Sequence, residues 1–130
     1  MPDHVADDEP LARFLTSDSQ FNSQMAKPAA FMPGPKDGNT SVFRQAAEPA
    51  QALWDTADRE LGIERRAKAA ALFTAGSVRR ARLEVVASEP PLRHADITQW
   101  PEIANDPEAT KAQRKELALL LIQSATLCRR

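Results

Sequence analysis

Two stretches of the chain carry helical spacing. Ala50, Leu53, Trp54, Ala57 and Leu61 follow an i, i+3, i+4, i+7 pattern, with Asp55, Asp58, Arg59 and Glu60 filling the rest of the surface. Glu48-Pro49 suits the opening of that helix and Gly62 its end. Trp54 falls within the stripe and reads as a core residue. A second start signal is Asn105-Asp106-Pro107-Glu108, with Asp106 as the cap and Pro107 in the first turn. The pattern predicts a long C-terminal helix running to about Leu127. Leu117, Leu120, Leu121, Ser124 and Cys128 share one face of it, while Ala118, Leu119 and Ile122 make its middle apolar nearly all round. Such a turn needs cover on both sides, from sheet and loop or from a partner chain. Between these two, the alanine-rich run Ile63 to Ala75, closed by Gly76, predicts a third helix. Arg65, Arg66 and Lys68 crowd its start, where cations oppose the helix dipole and call for an acidic neighbour or an anionic ligand.

Elsewhere the period is closer to two. Thr40 to Arg44 is short and β-rich, and Ser77 to Ala87 alternates with Ala81, Leu83 and Val85 on one side. Pro90-Pro91 and Pro101 pen an extended segment, Leu92 to Gln99. In it Ala95 and Ile97 face one way and His94, Asp96 and Thr98 the other. Leu11 to Thr16 fits either a short strand or a helical turn. Residues 17–39 fit neither period; they form a long irregular loop, with Phe21, Phe31 and Met32 available to anchor it. Met1 to Pro10 carries Asp3, Asp7, Asp8 and Glu9 without a lysine or arginine, and reads as a mobile acidic tail.

These elements predict one small α+β domain over residues 11–130. It has about three short strands, two central helices and the long C-terminal helix. The succession Thr40-Ser41-Val42-Phe43-Arg44, a helix, Arg82-Leu83-Glu84-Val85, Pro90-Pro91-Leu92-Arg93-His94-Ala95-Asp96-Ile97 and Trp100-Pro101 resembles a group of small uncharacterised bacterial proteins. The similarity spans residues 11–127 and implies a compact bacterial α+β protein. It brings no activity and no functional residues with it.

Composition narrows the picture modestly. At 130 residues and a net charge of −1, a surface given wholly to nucleic acid or membrane is not expected. Ten prolines against four glycines imply stiff connections. Cys128 is the single cysteine, so no intrachain disulfide forms, which fits a reducing compartment. The longest apolar run, Leu117 to Ile122, is far short of a membrane span, and the acidic N-terminus has no secretion signal. A soluble, cytoplasmic protein without membrane contact is expected.

No nucleotide-binding loop, zinc-ligand spacing or nucleophile elbow occurs, so neither a metal nor another cofactor is expected. His94 and Asp96 lie two apart on a strand face and are the best catalytic candidates, although His-x-Asp is a common triplet and a structural histidine beside Trp100 explains it as well. The stronger candidates are cations. Arg44, Arg65, Arg66, Arg79, Arg80, Arg82 and Arg93 would bind an anion if the fold gathers them. Few aromatic residues interleave with them, only Trp54 and Phe73, which argues against base stacking.

The leading expectation is a non-enzymatic binding protein, an accessory or adaptor subunit of a bacterial assembly. It would meet a protein partner, or a second copy of itself, through Leu117, Leu120, Leu121 and Ile122. The alternatives are a nucleic-acid-binding or nucleic-acid-modifying protein using the basic middle and His94, and a small enzyme acting on an anionic metabolite through Arg44, Arg93 and His94.

Overall fold

The computed structural model describes residues 4–35, 37–45, 50–62 and 65–130. Six strands among them make one antiparallel sheet: β1 (Pro10–Leu15), β2 (Thr40–Arg44), β3 (Ala69–Thr74), β4 (Glu84–Ala87), β5 (His94–Thr98) and β6 (Thr126–Arg129). Their spatial order is β4-β5-β2-β1-β3-β6. Helices α1 (Ala50–Leu61), α2 (Ala75–Arg80) and α3 (Pro107–Ser124) complete the fold. The architecture is α+β, with six strands where about three were expected.

Both faces of the sheet are covered, unequally. Leu11, Leu15, Val42, Ala71, Phe73, Val85, Ala95 and Ile97 enter the larger core. There they meet Ala118, Leu121 and Ile122 of α3, Val78 of α2, and Phe21 and Phe31 from the long loop. On the opposite face Ala12, Phe14, Phe43 and Ala70 lie under Leu53 and Ala57 of α1. The loop carries two short 3-10 turns, Asp18–Gln20 and Pro28–Ala30, and Phe31 is fully buried while Met25 stays exposed.

The alanine-rich run is where the prediction fails. Ala69 to Thr74 is a strand, paired along its length with β1 from Pro10↔Thr74 to Leu15↔Ala69 and with β6 on its other side. Alanine favours helix, but tertiary pairing overrides so weak a preference. Because Ala69, Ala70 and Ala71 are all fully buried, the strand shows no polar alternation that would betray its period. Ile63 and Glu64, the expected start of that helix, lie outside the described residues, as does the Glu48-Pro49 opening of α1.

Two other boundaries move. The expected strand from Ser77 begins instead as α2, whose N-cap Thr74 accepts a hydrogen bond from the Ser77 amide, and extended pairing is confined to Glu84–Ala87. The C-terminal helix ends at Ser124 rather than Leu127, because Ala125 turns extended and the chain continues as β6.

Residues 4–10, expected as a tail, are packed against the sheet. Val5 is buried, the Asp7 carbonyl accepts from the Gly76 amide at 2.8 Å, and Glu9 pairs with the buried guanidinium of Arg44.

One local feature positions the site. β1 pairs with β2 only at Leu11↔Arg44 and Ala12↔Phe43, although β2 continues to pair with β5 from Phe43↔His94 to Thr40↔Ile97. Beyond Ala12 the two central strands part, and the Arg13 side chain takes the place of the missing ladder, its Nη1 donating to the Ser41 carbonyl at 2.9 Å.

Candidate functional site

The split between β1 and β2 opens a cleft of about 290 Å³. Its floor is aromatic: Phe14 and Phe43 lie with ring centroids 5.5 Å apart, and His94 meets Phe43 edge-on at 5.3 Å. Leu61, at the end of α1, and Pro91, in the connection between β4 and β5, add apolar walls.

Arg13 is the central group. Its Nε donates to the Ala30 carbonyl at 2.9 Å and its Nη1 to Ser41, so two neutral acceptors on different segments hold the guanidinium in place. Nη2 is left without a partner, and no carboxylate pairs with Arg13 among the described residues. Burial holds its pKa below the usual arginine value, and the charge of Arg65 lowers it further. An arginine starts so far above neutrality that it keeps its charge at neutral pH. Arg65 lines the same cleft from the exposed turn after α1 and has no ion pair among the described residues.

The neighbouring polar groups are committed in a particular sense. Gln20 closes a capping box: its Oε1 accepts from the amides of Thr16 at 2.9 Å and Ser17 at 3.2 Å, leaving its amide nitrogen as the spare end. The Nδ1 of His94 is joined to Ser88 Oγ at 2.5 Å, which leaves Nε2. Thr16 and Ser41 contribute hydroxyls. The one carboxylate among the described lining residues, Glu60, accepts from Arg59 at 2.8 Å.

The seven arginines singled out in the sequence do not gather here. Arg65 reaches the cleft, and Arg66 lies close enough to Asp58 to lower that carboxyl's pKa, behind the larger effect of the Arg130 hydrogen bond. Arg44 is buried against Glu9. Arg79 is clamped by Glu84 and Asp7 at 2.6 Å each, which raises its pKa. It lines other cavities with Asp7, in one of which Arg80 joins it. Arg82 is exposed at a positive φ of 64°, and Arg93 at a φ of 65° gives its carbonyl to the Arg44 amide.

His94 and Asp96 share a strand face, yet no hydrogen bond joins them; the histidine is tied to Ser88 instead. Trp100, expected beside it, is buried in the larger core. Of the proposed contact leucines, Leu121 and Ile122 are buried within the molecule, Leu117 is half-buried and Leu120 is exposed. No cluster of metal-ligating side chains occurs among the described residues, and no helix there is long and apolar enough to cross a membrane.

Arg13, Thr16, Gln20 and Ser41 were not singled out in the sequence. The available signal was Arg13 itself, a lone cation inside Leu11-Ala12-Arg13-Phe14-Leu15. A larger cavity of about 630 Å³ lies beside His4, Arg79 and Glu84, but its arginine is already neutralised. The cleft at Arg13 holds two arginines, Arg13 and Arg65, that make no ion pair among the described residues. No protein-family model matches the chain, and neither a curated protein nor a solved structure matches it.

Proposed function

We propose that this is a non-enzymatic binding protein that takes an anionic group of its ligand or partner into the cleft at Arg13. The observation that carries the reading is the half-buried guanidinium held by two carbonyls, with no carboxylate paired to it among the described residues and Arg65 sharing its cleft. Partly desolvated charge of one sign is unfavourable until a counter-charge arrives, and charge-assisted hydrogen bonds to an anion are among the stronger polar contacts. Fixing the guanidinium in advance removes part of the ordering cost of binding.

A binding role suits these groups better than catalysis. Among the described residues the histidine has no carboxylate partner of the kind a general base would use, and its Nδ1 is occupied in closing the β4–β5 connection. It also suits them better than a nucleic-acid surface, since Arg44 and Arg79 are neutralised within the fold. A cytoplasmic accessory subunit that recognises a charged partner is the biological setting we favour.

The reading is tested by amide NMR of the intact protein titrated with sodium phosphate at constant ionic strength, which removes simple screening as a cause. Saturable shifts are expected at Arg13, Thr16, Gln20, Ser41 and His94, with half-saturation in the millimolar range or tighter. Shifts that fail to saturate, or that spread evenly over exposed arginines such as Arg80 and Arg82, contradict it.

A further inference from the structure

The spare hydrogen-bonding capacity of the cleft says which anion fits. Of the polar groups around it, Gln20 has spent its acceptor and kept its donors. Arg13 and Arg65 can only donate, and hydroxyls at Ser41 and Thr16 can turn to donate. Glu60, the one dedicated acceptor among the described lining residues, is engaged by Arg59 through Oε1. A lining so rich in donors matches a group that presents several acceptor oxygens.

Charge points the same way. Two guanidinium groups face one cleft, and a phosphomonoester carries about −1.5 to −2 at neutral pH on three terminal oxygens, against a single charge on two oxygens for a carboxylate. The remaining wall, Leu61 and Pro91 with Phe14 and Phe43 behind them, is apolar. A volume of about 290 Å³ is close to the lower limit for small-molecule sites, which holds the ligand to one compact body.

We propose that the ligand is a small phosphomonoester on a compact apolar or aromatic body. Its phosphate is seated by Arg13, Arg65 and the Gln20 amide, and its body lies against Leu61 and Pro91. This rests on the anion-binding reading of the same cleft.

Calorimetric titration of the intact protein with phenyl phosphate, benzoate and inorganic phosphate tests it. The proposal expects phenyl phosphate to bind at least about tenfold more tightly than either of the others, a difference of roughly 1.4 kcal/mol. Arg65→Gln should weaken phenyl phosphate by about tenfold, the scale of one charge-assisted contact. Because Arg65 is exposed and makes no ion pair among the described residues, that variant is expected to fold, whereas Arg13→Gln removes two tethers to the backbone.

Benzoate binding as tightly as phenyl phosphate, with the same loss in Arg65→Gln, overturns the phosphomonoester and leaves the anion site standing. Inorganic phosphate matching phenyl phosphate overturns the apolar body. Phenyl phosphate binding that Arg65→Gln leaves unchanged overturns the placement. No saturable binding of any of the three overturns both the ligand class and the anion-binding reading.

Discussion

Arg44 and Arg13 place guanidinium groups inside the same sheet with opposite outcomes. The Arg44 side chain has no exposed surface, and Glu9 neutralises it through contacts to both Nε and Nη2. Removing the carboxylate of such a pair takes its counter-charge from a buried guanidinium. Glu9→Gln is therefore expected to destabilise the protein by about 3–5 kcal/mol in urea unfolding. A loss under 1 kcal/mol would show that Arg44 finds other compensation. Among the described residues Arg13 is held by carbonyls alone, and there the counter-charge is expected from outside. The sequence shows a difference between the two only faintly. Arg44 ends a β-rich run, as surface arginines often do, and its partner lies in a segment whose acidity reads as a tail. Arg13 sits between Ala12 and Phe14, where a cation is out of keeping with its neighbours; that anomaly was legible, but the carbonyls that tether it come from positions 17 and 28 residues away.

Among the elements, the N-terminal segment and α2 depend on each other closely. Gly76 donates its amide to the Asp7 carbonyl at 2.8 Å, and a Cβ at that position would stand 3.0 Å from the same oxygen and 3.3 Å from the Asp7 Cβ. Gly76→Ala should force residues 6–8 outward and lower stability by about 1–3 kcal/mol, the usual scale of overpacking. Unchanged stability, together with unaltered protection of the Gly76 amide from hydrogen exchange, would place the segment further from α2 than described. Helix α1 and the start of α3 could be read from spacing and caps because those signals are local. β3 and β6 could not. Alanine at Ala69 to Ala71 carries no period, and Thr126–Arg129 follows a helical pattern closely enough to look like its last turn. Only the pairing of the two strands with each other and with β1 decides their structure, and pairing is not a local property.

At the scale of the whole molecule, two cores on opposite faces hold a sheet whose middle is incompletely paired. The larger core fixes the positions of the long loop and α3; the smaller one seats α1 over β1 and β2. Between them the central strands part, and the chain uses an arginine where backbone hydrogen bonds would otherwise run. A gap in the centre of a sheet is unfavourable for folding alone, and we interpret it as the place where binding was built in. The proposed anion lies between Arg13 and Arg65. Crystals soaked in tungstate, a tetrahedral phosphate analogue with strong anomalous scattering, test it most directly. The strongest anomalous peak is expected inside the cleft, within hydrogen-bonding distance of both guanidinium groups and of the Gln20 amide. A strongest peak elsewhere, with no density between the two arginines, would contradict it.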